Sequence, residues 1–260
     1  MRLRVGAATD TGRVRAPNED AFAARAEDGL FVVCDGMGGA PAGEIASQMA
    51  VEAIVRELNA PSRESLASST SGEHAYLPRT DRLAEAVRRS NRCIYDRACS
   101  DPGRAGMGTT MVGAWIREHI ASVAHVGDSR AYLWHNDCLE ALTRDHSLLE
   151  SNVLVRALGR EPDVDVELAE VPVQPGDYLL LCSDGLTRMV PEGILAKAIV
   201  DLREPQRICN YLIQAANANG GADNITVVVV EVADAWWRRL LNGWGRYATR
   251  GQDAETYPAV

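Results

Sequence analysis

Runs of apolar residues along the chain alternate between two spacings. "LRVGAATD" and "GLFVVCD" near the start have the short, β-branched character of strands, and positions 42–58 then carry alanine, glutamate and isoleucine at helical spacing. The pattern breaks over 59–78, "NAPSRESLASSTSGEHAYLP", where serine and proline without a sustained period predict a mobile surface insertion. Helical spacing returns over 81–98. A strand-rich centre follows in "GTTMVGAWIRE", "IASVAHVGD" and "RAYLWH", with turn signals at "GDS" and "HND". "GDYLLLCSDG" repeats the opening pattern of apolar strand into Asp-Gly, two helical stretches occupy 191–219, and "NITVVVVEV" supplies a closing core strand. Strands in meanders and helices in pairs predict sheets packed beneath helices rather than a βαβ alternation. One catalytic-sized domain over 1–233 is expected, followed by a tail over 234–260.

Composition narrows the function classes. The chain has 260 residues, of which 46% are hydrophobic, enough for one substantial core. Lys and Arg total 27 against 36 Asp and Glu, a balance of −9 that argues against a nucleic-acid partner. "MRLRVGAATDTG" has no apolar h-region, and no apolar run is long enough to span a membrane. The six cysteines show no C-x-x-C pairing and read as reduced, mostly buried thiols of a cytoplasmic protein.

The candidate chemistry is acidic. "NEDA" carries Glu19 and Asp20, "CDGMGG" Asp35, "VGDSR" Asp128, "CSDGL" Asp184 and "GADNIT" Asp223. Each alone is an ordinary turn former. Yet Asp35, Asp128 and Asp184 end apolar strands and Asp223 precedes one, so strands packed side by side would gather these carboxylates at one rim. Like charges at short range must protonate or be neutralised by divalent cations. Oxygen-only ligands favour Mg²⁺ or Mn²⁺. His74, His119, His125, His135 and His146 lack the spacing of a zinc motif, which argues against zinc. The glycines of "DGMGG" allow close backbone approach, offering the Gly36 carbonyl as a further ligand.

"TDTGRVRAPNEDA", "VVCDGMGGAPAGE", "MGTTMVGAWI", "AHVGDSRAYL", "TRDHSLL", "LLLCSDGL" and "ADNITVVVV", in that order, resemble the metal-dependent type 2C protein Ser/Thr phosphatases in their compact bacterial form. The resemblance implies an α+β fold, a four-layer α-β-β-α sandwich of two antiparallel sheets flanked by paired helices. It further implies that Asp35 bridges two Mn²⁺ or Mg²⁺ ions, Asp184 and Asp223 complete one, and Glu19 (partly through water) with the Gly36 carbonyl serves the other. Asp20 would orient the waters. Asp128, with Asp184, matches the position of a third, weaker ion, and Arg15 matches the phosphate-binding arginine. A metal-bridged hydroxide would then attack phosphoserine or phosphothreonine, opposing a Ser/Thr kinase. The expected partners are phosphorylated proteins, including such a kinase or its substrates, and the chain is expected to be a monomer.

Two departures from the family pattern stand out. Met37 follows the Asp-Gly where many relatives have histidine, leaving the proton donor unassigned. "NVLVRALG" follows "DHSLLES" directly, so the flap near 147–160 reads as shortened. In "DAWWRRLLNGWGRYATR", Trp236, Leu240 and Trp244 share one helical face, to be docked on the core or set against a membrane surface or partner. Two rival functions are a catalytically dead phosphoprotein-binding relative, which the intact Asp35, Asp184, Asp223 and Arg15 disfavour, and a small-molecule phosphomonoesterase.

Overall fold

Every strand pairs antiparallel in the computed structural model of the protein, which describes residues 1–37, 42–60, 76–146 and 156–233. One sheet runs in the order β1 (Arg2–Asp10), β11 (Ile225–Ala233), β10 (Tyr178–Cys182), β7 (Arg130–His135), β8 (Cys138–Ala141). The other runs β2 (Asp20–Arg25), β3 (Leu30–Met37), β5 (Met111–Arg117), β6 (Ile120–Val126), β9 (Glu167–Pro172), with the short β4 (Gly108–Thr109) also on β3. α1 (Ala42–Asn59) and α2 (Pro78–Ser100) cover the second sheet, while α4 (Glu192–Leu202) and α5 (Pro205–Ala218) cover the first.

The side-chain period of two explains why the central strands are apolar without interruption. In β3, Phe31 and Val33 enter the core between the sheets, whereas Leu30, Val32 and Cys34 face α1 and α2. In β11, Val228, Val230 and Val232 point inward and Val227 and Val229 meet α4 and α5. Both faces are covered, so no polar alternation is required. The helix boundaries follow the expected chemistry. Pro78 and Pro205 open α2 and α5, and the Glu204 side chain caps α5 by accepting from the amides of Gln206 and Arg207. That helix end rests directly on β1: a Cβ at Gly6 would lie 2.3 Å from the Gln206 nitrogen.

The α-β-β-α sandwich thus agrees with the expected layers, and the helices expected over 42–58, 81–98 and 191–219 are present. Positions 61–75 of the expected insertion, 147–155 of the expected flap and the tail from 234 lie outside the described residues. Three strands and a short helix are additions: β2, β8, β9 and α3 (Asp184–Thr187). The thiols need correction, because Cys34, Cys182 and Cys209 are buried but Cys93, Cys99 and Cys138 are exposed. The first two exposed ones project from α2 away from its buried stripe.

Candidate active site

The acidic residues converge where the two sheets meet. Asp20, the first residue of β2, stands opposite Asp35 of β3 in the strand register. From the other sheet, Asp184 follows β10 at the start of α3, and Asp223 lies in the turn before β11. Asp184 from the first sheet and Asp35 from the second bring like charge together at the rim. Carboxyl groups gathered this closely favour the neutral form of one another unless cations neutralise them. Burial, followed by the charges of Asp20, Asp184, Asp223 and Asp128, raises Asp35 well above the usual carboxylate range. Burial likewise pushes Asp20 up to about 7 and Asp184 to about 6.

Neutral neighbours fix this constellation. The Thr110 hydroxyl accepts from the Asp35 amide at 3.0 Å, the Thr109 hydroxyl donates to the Asp35 carbonyl at 2.8 Å, and Thr110 meets Ser129, beside Asp128, at 2.7 Å. The Ser183 hydroxyl donates to Asp20 at 2.8 Å. Asn224 organises the approach to the rim. Its Oδ1 accepts from the Glu19 amide at 2.8 Å, and its Nδ2 donates to the carbonyls of Thr11 and Pro17 at 2.9 and 3.0 Å. The loop bearing Arg15 and Glu19 is therefore tied to the Asp223 turn.

Gly36 and Gly43 make room for the second group of oxygens. A Cβ on Gly43 would lie 2.8 Å from Glu19 Oε2 and 2.9 Å from the Gly36 carbonyl carbon, so both oxygen carriers flank the same spot. Burial raises the Glu19 pKa, opposed by Arg15. Among the described residues, Asp20 Oδ1 and Asp184 Oδ1 are buried without a hydrogen-bond partner. Orphaned anionic oxygens in an all-oxygen donor set fit hard divalent cations.

Positive charge comes from two arginines. Arg15 Nη2 lies 2.9 Å from Asp223 Oδ2, at the rim as expected. Arg188, absent from the sequence reading, reaches Asp184 at 2.5 Å, Asp128 at 3.8 Å and Asp223 at 3.9 Å. Its position four residues after Asp184, one helical turn on, is the signal that would have found it. All eight expected positions, Arg15, Glu19, Asp20, Asp35, Gly36, Asp128, Asp184 and Asp223, belong to this one neighbourhood. His146 stays outside it and meets His125 and Glu167 instead.

A family model described as Protein phosphatase 2C matches residues 10–244. The serine/threonine phosphatase stp of Listeria innocua is 39% identical over 245 residues, covering 86% of this chain and 93% of that one. Among solved structures, the Mycobacterium tuberculosis serine/threonine phosphatase PstP/Ppp superposes with a TM-score of 0.78 at 30% identity, covering 90% of this chain and 100% of that chain. The catalytic domain of PstP in complex with two manganese ions gives 0.77 at 33% identity, covering 90% of this chain and 99% of that one.

Proposed function

Since the chain belongs to the protein phosphatase 2C family and is a protein serine/threonine phosphatase, we propose that the acidic rim is its catalytic centre. Asp35, Asp184 and Asp223, with Glu19 and the Gly36 carbonyl, would hold two Mn²⁺ or Mg²⁺ ions, and Asp128 with Asp184 a weaker third. The observation that carries this reading is the convergence of Asp35 and Asp184 from opposite sheets, beside buried oxygens that no described group satisfies. The PstP catalytic domain crystallised with two manganese ions supports the ion type.

Bound there, the ions supply a hydroxide nucleophile near neutral pH and offset charge on the phosphoryl group. The remaining work falls to this chain's residues. Arg15, more than half exposed, turns its planar guanidinium from Asp223 to two oxygens of the phosphate, which fixes phosphorus for attack from the side opposite the serine or threonine oxygen. The new P–O bond forms as the bond to that oxygen breaks. The leaving oxygen takes its proton from water, because Met37 has none to give. Asp20, held by Ser183, orients water at the rim, and Asn224 keeps the Arg15–Glu19 loop in register with Asp223.

The substrates in this reading are phosphoproteins of the cytoplasm, the opposing activity is a Ser/Thr kinase, and the chain acts as a monomer. Among the described residues no helix is long and apolar enough to cross a membrane. Turnover of a phosphothreonine peptide with Mn²⁺, with chelator, and by Arg15→Ala tests the assignment. Loss of turnover in chelator and a raised KM in the variant are expected. Full turnover in chelator would refute the ion-binding rim, and an unchanged KM with lost Mn²⁺ binding would make Arg15 structural.

A further inference from the structure

His125, His146 and Glu167 take no part in the chemistry above. Strand pairing sets His125 of β6 directly opposite Glu167, the first residue of β9. The third member arrives from the segment after β8. There Arg130 grips Asp145 through two bonds of 2.7 Å, and the next residue, His146, is hooked to the turn after β6. Its amide donates to the Gly127 carbonyl at 2.8 Å, and its Nδ1 accepts from the Gly127 amide at 3.2 Å.

The three side chains then point at one another. His146 Nε2 lies 2.9 Å from Glu167 Oε2, His125 Nδ1 lies 3.6 Å from the same oxygen, and the two rings are 4.6 Å apart. One ligand atom from each falls within 4.8 Å of the others. Tetrahedral coordination with bonds of about 2.1 Å sets ligand atoms about 3.4 Å apart, and the separations to Glu167 straddle that value.

A second observation points to a ligand. His125 is 1% exposed, and among the described residues neither of its ring nitrogens has a hydrogen-bond partner. Buried polar atoms left in that state are rare and costly. The ring is neutral at physiological pH, since burial and then the neighbouring His146 hold its pKa down to about 4, and a neutral imidazole is the form that binds metal.

We propose that His125, His146 and Glu167 form a binding site for a transition-metal ion of the Zn²⁺ class, separate from the oxygen-lined rim. Two imidazoles and one carboxylate select Zn²⁺, Co²⁺ or Ni²⁺ over Mg²⁺, and water completes the shell. The ion enters beside Glu167, whose side chain is 45% exposed against 11% for His146. Binding also acts on the turn behind it. Coordination through His146 Nε2 moves that ring's proton to Nδ1, which the Gly127 amide can then no longer donate to. Gly127 has φ +116°, a conformation a glycine can leave, and it immediately precedes Asp128. Loading this site therefore repositions the turn that carries Asp128, with no net release of protons.

The test is a Co²⁺ titration of the full chain whose rim is saturated with Mg²⁺, followed by visible absorption, which separates four-coordinate nitrogen-ligated Co²⁺ from six-coordinate oxygen-ligated Co²⁺. A single saturating equivalent with an intense band is expected. His146→Gln should abolish the band, Glu167→Gln should weaken binding by at least about tenfold, and Asp223→Asn should keep both. Glu167→Gln retains an acceptor for His146 on a partly exposed side chain, so its fold is preserved. The proposal is overturned by absence of the band, as when a buried water alone satisfies His125. It is equally overturned by a band unchanged in both His146→Gln and Glu167→Gln, or by its loss in Asp223→Asn.

Discussion

Asp184→Asn should make the metal-free protein more stable while removing an ion ligand. Asp184 is 8% exposed, and burial, then Asp128, push its pKa from the ordinary 3.8 to about 6, with Arg188 already pulling the other way. A carboxyl whose folded-state pKa is raised contributes stability that is complete below the unfolded value and is lost as pH rises through the folded one. Here that window runs from the ordinary carboxylate range to somewhat above pH 6. At about 1.4 kcal/mol per pKa unit, ionising Asp184 costs the metal-free fold about 3 kcal/mol by pH 8. Asparagine cannot ionise and escapes this cost. For a domain of this size the variant should melt roughly 6–10 °C above the parent in chelator at pH 8, and the two should converge near pH 4. Added Mn²⁺ should reverse the order, because only the parent keeps the full ligand set. Thermal unfolding followed by circular dichroism across this pH range, with chelator and with Mn²⁺, makes the comparison. A variant no more stable than the parent in chelator at pH 8, or a gap that does not shrink on acidification, would refute the reasoning.

Three further outcomes are expected. Gly36→Ala puts a Cβ 2.1 Å from the Gly43 carbonyl oxygen and 2.6 Å from that of Glu19, so chemical denaturation should show a loss above about 3 kcal/mol, and parental stability would contradict the close approach. Asn224→Ala strands the Glu19 amide and the carbonyls of Thr11 and Pro17, and should cost about 2 kcal/mol in unfolding with a lower kcat/KM on phosphopeptide; an effect on neither would remove its positioning role. Arg188→Ala frees Asp184 from a cation that competes with added ions, so calorimetric titration should show Mn²⁺ binding several-fold tighter, and weaker binding would mean that Arg188 assists the ions instead.

Elements that could be read from the sequence are those whose own pattern is strong. α1, α2 and the runs in β3, β10 and β11 bury enough apolar surface to declare themselves. β2, "DAFAAR", is an alanine-rich edge strand that exists because β3 offers it a register, and β9, "ELAEVP", is polar enough to resemble a loop. The rim acids were legible because each interrupts or borders an apolar strand. Asn224, Ser183 and Thr110 were not, since their motifs were visible but polar turn residues do not reveal which distant backbone they will bind. The histidines illustrate the same limit. Motif spacing detects ligands on one helix or short loop, whereas His125 and Glu167 are brought together by the pairing of β6 with β9.

The pairing of β1 with β11 ties the enzyme's activity to the direction of its synthesis. β1 leaves the ribosome before the other described elements, yet among them its nine residues pair with β11 alone, the last described strand, which also lies between it and β10. Asp223 and Asn224 immediately precede that strand. Until it emerges, β10 lacks one neighbour, β1 lacks its partner among the described strands, and the Arg15–Glu19 loop lacks its anchor. A nascent chain thus has α1, α2 and the strands of the second sheet before it has a complete rim, so hydrolytic capacity arrives in one step, when β11 emerges.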